Sequence, residues 1–247
     1  MNTALVVFAI REEFAPWRRC HRFRSVAGLP YPASVAGVGS TQVYATLMGA
    51  GSRAAGRIAD LTRQVAPSLA IVTGVAAGLR PEWRSGDMLV AREVRSEDEG
   101  TGIAADGHLL ECALRCGAKP ASTLITVPHV LRSVKEKACL AGVADAADME
   151  SLPLMQHWSA NGVPALALRV ILDPVDMPMT CDFEAAMDAH GQIRRRRLAA
   201  QLLRQPRLLP GFVHLARRSR HCLGILARFL DNLFAQLALV EVSEPEP

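Results

Sequence analysis

At 247 residues, half of them hydrophobic and only 5% aromatic, the chain has room for one large α/β domain with a core of Ala, Leu and Val; a second full domain would be cramped. Its formal net charge of +4 is modest, but residues 194–228 hold ten arginines and no acid, so the basic charge belongs to one appendage and not to a nucleic-acid-binding fold. The six cysteines (Cys20, Cys112, Cys116, Cys139, Cys181, Cys222) form no CxxC pair and no zinc-like spacing with histidine, which argues for reduced structural thiols in a cytoplasmic protein and against a metal site.

Ala4 to Ile10 is an apolar, β-branched run. It is too short for the apolar core of a secretory signal and no basic segment precedes it, so it predicts a first strand. The run ends at Arg11-Glu12-Glu13, which places two acids at a strand exit; the simpler reading is that both solvate a helix N-terminus. Ser34 to Ser40 predicts a second short strand leading to a helix that begins near Thr41. Gly37 and Gly39 would then let a ligand approach the backbone. Leu69 to Leu79 is the clearest strand-to-glycine element, carrying Thr73-Gly74-Val75-Ala76, and Ser85 to Ala91 predicts the strand after it. Arg92 to Ala105, rich in charge, reads as a surface loop or lid. Gly107 to Gly117 has a helical pattern and Leu124 to Val127 is a strand, followed by Pro128-His129-Val130-Leu131.

Met149 to Asn161 reads as a helix, with Ser151 and Pro153 suited to its first turn and Gly162 just past its end. Pro164 to Leu172 is nearly continuously apolar, as in a strand buried on both faces. Glu150 and Asp173 therefore lie at the exits of two successive strands, where open α/β sheets bind ligands. A purely structural reading competes: Glu150 favours a helix N-terminus, and Asp173 before Pro174 makes a turn. Beyond Asp176 two helices follow, Arg194 to Leu203 and Leu209 to Val240. Leu223, Leu226, Leu230, Leu233 and Leu237 form an apolar face on the second. Arg228, Asp231 and Asn232 interrupt it and argue against a membrane-spanning helix.

The run Asp148-Met149-Glu150-Ser151, with Arg169-Val170-Ile171-Leu172-Asp173-Pro174-Val175-Asp176, resembles the signature of the purine nucleoside phosphorylase and methylthioadenosine/S-adenosylhomocysteine nucleosidase superfamily. The Asp-Pro-Val-Asp ending and basic tail resemble its hopanoid-associated branch, which removes adenine from adenosylhopane. The resemblance implies a three-layer α/β/α fold with a central mixed, mostly parallel sheet over residues 1–193, plus a basic amphipathic helical extension over 194–247. It implies Asp173 as the acid that protonates purine N7, Glu150 as the carboxylate gripping the ribose hydroxyls, and Met149 beneath the sugar. Glu13 would orient the attacking water. Gly37 and Gly39 match a glycine pair of the family, Thr73, Gly74, Val75 and Ala76 match a loop against base and ribose, and Val130 falls where side chains pack on the purine.

Three departures stand out. Val75 replaces a hydroxyl common in phosphorolytic members, Ala77 replaces a glycine, and Leu172 replaces a serine that helps set the acid. Phosphate as co-substrate and water as acceptor both stay open, and no other cofactor is implied. The expected partners are an adenosyl compound or lipid, a second copy in a homodimer, and an anionic membrane surface met by residues 194–240. The protein would then be cytoplasmic and peripheral on the inner membrane face. Two alternatives remain: a nucleosidase for soluble methylthioadenosine or S-adenosylhomocysteine, and a non-catalytic adenosine-binding, membrane-associated module. For the leucine face the alternatives are a dimer interface or packing on the parent domain.

Overall fold

The computed structural model describes residues 2–29, 31–49, 55–97, 102–179, 183–188 and 191–243. Its apolar runs become the centre of one sheet. Strands β1 (Thr3–Phe8) and β10 (Ala165–Asp173) flank β5 (Leu69–Gly78) on opposite edges, both parallel to it. β10 is buried along its whole length, as a two-sided apolar strand must be. β4 (Thr41–Leu47) runs parallel to β1, and β3 (Ala33–Val38) and β2 (Arg24–Val26) continue antiparallel to the edge.

On the other side the sheet turns back on itself. β10 pairs antiparallel with β6 (Met88–Ser96), β6 pairs parallel with β8 (Lys119–Thr126), and β8 pairs parallel with β9 (Ala146–Asp148). β9 in turn meets Ala77 and Gly78 of β5, past the point where β1 ends. Five strands thus close a ring. The short β7 (Ile103–Ala104) lies outside that ring, against β6.

Alternation along the strands sends their side chains to two faces. Ala4, Val6 and Phe8 join Leu166, Leu168 and Val170 under helices α1 (Arg11–Cys20), α3 (Gly107–Arg115) and α8 (Leu209–Ser243). Leu5, Val7, Ala165, Ala167 and Ile171 face α2 (Ala55–Val65) and α5 (Ser151–Ala160). The result is the expected three-layer arrangement with a mixed sheet, parallel through its centre. α4 (Val134–Leu140), α6 (Phe183–Ala186) and α7 (Arg195–Arg204) complete the described helices.

Three expectations need correction. Residues from Thr41 form β4 and not a helix, because Thr41-Gln-Val-Tyr-Ala-Thr-Leu alternates at the strand period, burying Thr41, Val43 and Ala45. Arg92 to Ser96 continues β6 instead of opening a lid, and residues 98–101 of that stretch lie outside the described residues. The leucine face of α8 meets the protein itself: Leu226, Leu230 and Leu233 are at most 1% exposed in the sheet's own core cluster. Asp231, which breaks the apolar pattern, has a local role, accepting from Trp17 Nε1 at 2.6 Å and pairing with His21 at 2.7 Å. A window within Pro206–Leu239 has the length and hydropathy to cross a membrane, but half of it is buried in the fold. Packing on the parent domain is the alternative realised.

Candidate active site

The carboxyl ends of β1, β5, β9 and β10 open into a cavity of about 770 Å³, within the roughly 300–1,000 Å³ range of small-molecule sites. Glu13, Glu150, Asp173, Met149, Val75, Ala76 and Val130 all line it. The three acids come from three separate strand exits. Each is less than 9% exposed.

Glu13 sits in the first turn of α1 and reaches back over the end of β1. Its Oε2 accepts from the backbone N–H groups of Ala9 (2.9 Å) and Ile10 (3.1 Å), and its Oε1 from Val75 of β5 at 3.0 Å. Burial pushes its carboxyl above the ordinary range, with the Arg169 guanidinium and these N–H donors pulling the other way. The helix N-terminus reading is therefore true in part, since Glu13 satisfies donors at the start of α1. The same carboxylate also bridges to the neighbouring strand and faces the cavity.

Arg169 stands in the middle of β10, and it is 1% exposed. Its Nη2 lies 2.5 Å from Asp148 Oδ2, 3.7 Å from Glu150 Oε2 and 2.9 Å from Ser151 Oγ. Burial works against its charge, but Asp148, Glu150 and Glu13 together hold it firmly cationic. Asp148 also accepts from the Ser151 N–H and from Thr126 Oγ1 at 2.8 Å. The donors at the start of α5 are thus served by Asp148 and not by Glu150, whose side chain makes no cap bond. Glu150 stands at the N-cap of α5 and also lines the cavity.

Asp173 ends β10 just past a β-bulge. Its Oδ2 lies 2.5 Å from the Nζ of Lys137, which is fully buried on α4. The same ammonium donates to the backbone carbonyls of Asp173 (3.3 Å), Pro174 (3.1 Å) and Met177 (2.7 Å). Burial raises Asp173 to about 6 even though Lys137, and more weakly Arg218, pull it down. With Leu172 where a serine was expected, burial and this lysine set the acid.

The remaining glycine and threonine candidates lie elsewhere. Gly37 and Gly39 belong to the β3–β4 hairpin, at the end of the sheet where β1 begins; Gln42 just beyond them donates to the carbonyl of Asn2. They sit at the opposite end from the acids, and the expected helix N-terminus is absent because β4 replaces it. The glycine at the cavity end of β4 is Gly49, with φ +83°, whose N–H bonds the carbonyl of Ala9. Residues 50–54 after it lie outside the described residues. Thr73 and Gly74 lie under the cavity floor and do not line it: Thr73 is fully buried. Gly74, at φ +151°, leaves room for the ion cluster, since a Cβ there would come within 2.4 Å of Glu13 Oε1 and 2.8 Å of Arg169 Nη1. His129 lines the rim.

The sequence reading missed Lys137, and quoted Arg169 and Asp148 without giving them roles. A cation inside an apolar strand is a legible signal that carboxylates surround it. Lys137 lies three residues before the buried Leu140, on the inward face of α4, and only that spacing marked it.

No family model matches the sequence, and no curated protein matches it. Solved structures do. The chain superposes on the 5′-methylthioadenosine/S-adenosylhomocysteine nucleosidase of Campylobacter jejuni with a TM-score of 0.73 at 16% identity, over 94% of this chain and 98% of that one. The Neisseria meningitidis enzyme of the same name, in complex with methylthio-immucillin-A, gives 0.72 at 18%, over 95% and 99%. Futalosine hydrolase of Helicobacter pylori gives 0.71 at 15%, over 95% and 97%. The chain has the nucleoside phosphorylase/nucleosidase fold.

Proposed function

We propose that the chain cleaves the N-glycosidic bond of an adenosyl compound and releases adenine. The observation that carries this reading is the convergence of Glu13, Glu150 and Asp173 on one cavity, each in a different electrostatic setting. As the bond breaks, the adenine gains electron density and the ribose becomes cationic. Asp173, raised to about 6, is suited to protonate the purine at N7. Glu150 grips the ribose hydroxyls and steadies the positive charge on the sugar. Glu13 orients the attacking water. Water is favoured over phosphate as acceptor because Val75 offers no hydroxyl and the Glu13 carboxylate repels an anion there.

The finer proposal concerns the 5′ substituent. The cavity is also lined by Met179, Ile193, Leu198, Leu202, Phe212 and Leu215, which suit a large apolar group. A lipid-linked adenosyl group such as adenosylhopane is the substrate we propose. The likeness to methylthioadenosine/S-adenosylhomocysteine nucleosidases favours a second reading, a small soluble substrate. In the lipid reading residues 194–247, which also wall the cavity and cover the sheet, bring the protein to an anionic membrane. The contact would be the turn between α7 and α8, where Leu203, Leu209 and Val213 are exposed beside Arg204 and Arg207.

The test is free adenine measured after incubation with adenosylhopane in detergent, methylthioadenosine and S-adenosylhomocysteine, each with and without phosphate. The expected result is release that phosphate does not change and that is fastest from the lipid. Faster release from the soluble compounds would select the second reading. Ligand binding without release from any of them would leave an adenosine-binding module.

A further inference from the structure

Lys137 is a fully buried cation that the mechanism above does not use. An ammonium taken from water into a protein interior costs several kcal/mol unless it is paired and hydrogen-bonded, so its surroundings say what it serves. Here it meets one carboxylate, Asp173, and three backbone carbonyls of the segment that follows β10. Among the described residues, the only side chain it pairs with is Asp173.

We propose that Lys137 is a positioning residue of the reaction, whose ammonium holds Asp173 Oδ2 in place and serves as counter-charge to the carboxylate left when that acid gives up its proton. The inference rests on the adenine-release reading. In the step concerned, the Asp173 carboxyl O–H bond breaks and an N–H bond forms on the leaving purine as the glycosidic bond breaks. The purine leaves neutral, and the new negative charge stays on Asp173, in contact with Lys137. The ammonium keeps its own proton throughout. The carbonyl bonds hold the 173–177 segment to α4, so the acid and its counter-ion keep one geometry in both protonation states.

The other charged groups near Asp173 cannot substitute. Arg218 of α8 acts on it only at longer range, behind Lys137 in effect. Glu13, Glu150, His129, Arg19, Arg195 and Arg220 share the cavity, but none forms a salt bridge with Asp173 among the described residues.

The test is Lys137→Met in the full chain, read two ways. Carbon-13 signals of aspartate-labelled protein, with Asp173 assigned through Asp173→Asn, give the titration midpoint of the acid without any turnover. Loss of the counter-charge should raise that midpoint by at least about one pH unit. Adenine release should fall at least about tenfold in kcat with KM within about threefold, and the alkaline limb of its pH profile should move up with the midpoint. Lys137→Gln, which keeps hydrogen bonding but not charge, should behave as Lys137→Met does; an unshifted midpoint or wild-type turnover in either variant would overturn the proposal. Should both single variants fail to fold, the Lys137→Met/Asp173→Asn double variant decides. Recovery of folding supports the pairing, and continued failure would show that Lys137 serves only the backbone and overturn the role. Absence of adenine release from the wild type would sink the functional reading, and the titration would still report on the pair.

Discussion

Two buried cations serve the acids of this cavity, and they are built in opposite ways. Arg169 stands inside a central strand among three carboxylates, Asp148, Glu150 and Glu13. Lys137 stands on a short helix with one carboxylate and three backbone carbonyls. The first arrangement is a hub: one guanidinium, with a planar fork of donors, organises two strand exits and the start of α5. The second is a clasp, in which a point charge closes a loop around a single acid. The lesson is that both acids' cations act on the same central strand, Arg169 from within β10 and Lys137 from outside it on α4, so the Asp173 contact can be tuned separately from the strand framework.

The largest effect expected is on catalysis at the clasp. Asp173→Asn keeps the shape and removes the proton, so adenine release should fall by about a thousandfold or more while the protein stays folded. Activity within about threefold of wild type would remove Asp173 as the acid. The hub should break differently. Arg169→Met strands buried carboxylates, and loss of one partner from such a cluster costs about 3–5 kcal/mol; the loss would appear as a lower urea midpoint before any assay is run. Full stability in that variant would show that the cluster is not the framework described here.

Glu150→Gln sharpens the contrast, because it changes a cavity-facing member of the hub while Asp148 still holds Arg169 at 2.5 Å. Both KM and kcat should suffer, by about ten- to a hundredfold in kcat/KM, with little change in stability. The wild-type pH profile reads the clasp through kcat, because the donor is raised to about 6 and is active only when protonated. Above that value kcat should fall by about tenfold per unit. A rise with pH would mean that Asp173 acts ionised. The smallest effect expected is Leu203→Glu with Leu209→Glu, which should reduce co-sedimentation with anionic liposomes by a few-fold and leave cleavage of a soluble substrate unchanged.

The strands that carry the acids were legible because a continuous apolar run has one reading in an α/β chain. Pro164 to Leu172 predicted β10 to within a residue at each end, and Ala4 to Ile10 predicted β1. Glu13 and Asp173 stand where those runs stop, whereas Glu150 was singled out through the resemblance carried by Asp148-Met149-Glu150-Ser151. The β3–β4 hairpin was misread because Gly-x-Gly after a short strand fits both a ligand loop and a tight turn, and only the alternation from Thr41 separates them. The apolar face of α8 was visible, but what covers it was not. A leucine stripe looks the same against a membrane, a partner or the protein's own sheet, and here it covers the sheet. Removing residues 207–247 would therefore strip the core, which is why a membrane test needs the exposed Leu203 and Leu209. Lys137 escaped notice because its partner is 36 residues away and its neighbours Lys135 and Glu136 make it look like part of a solvated face.

The most direct test of the proposed chemistry is a crystal structure with an uncleavable adenosine analogue in which carbon replaces the glycosidic nitrogen. The proposal requires purine N7 within hydrogen-bond distance of Asp173, the ribose hydroxyls on Glu150 with Met149 beneath the sugar, and the 5′ end directed toward Leu198, Leu202 and Phe212. A purine bound away from Asp173, or a ribose that does not touch Glu150, would contradict it.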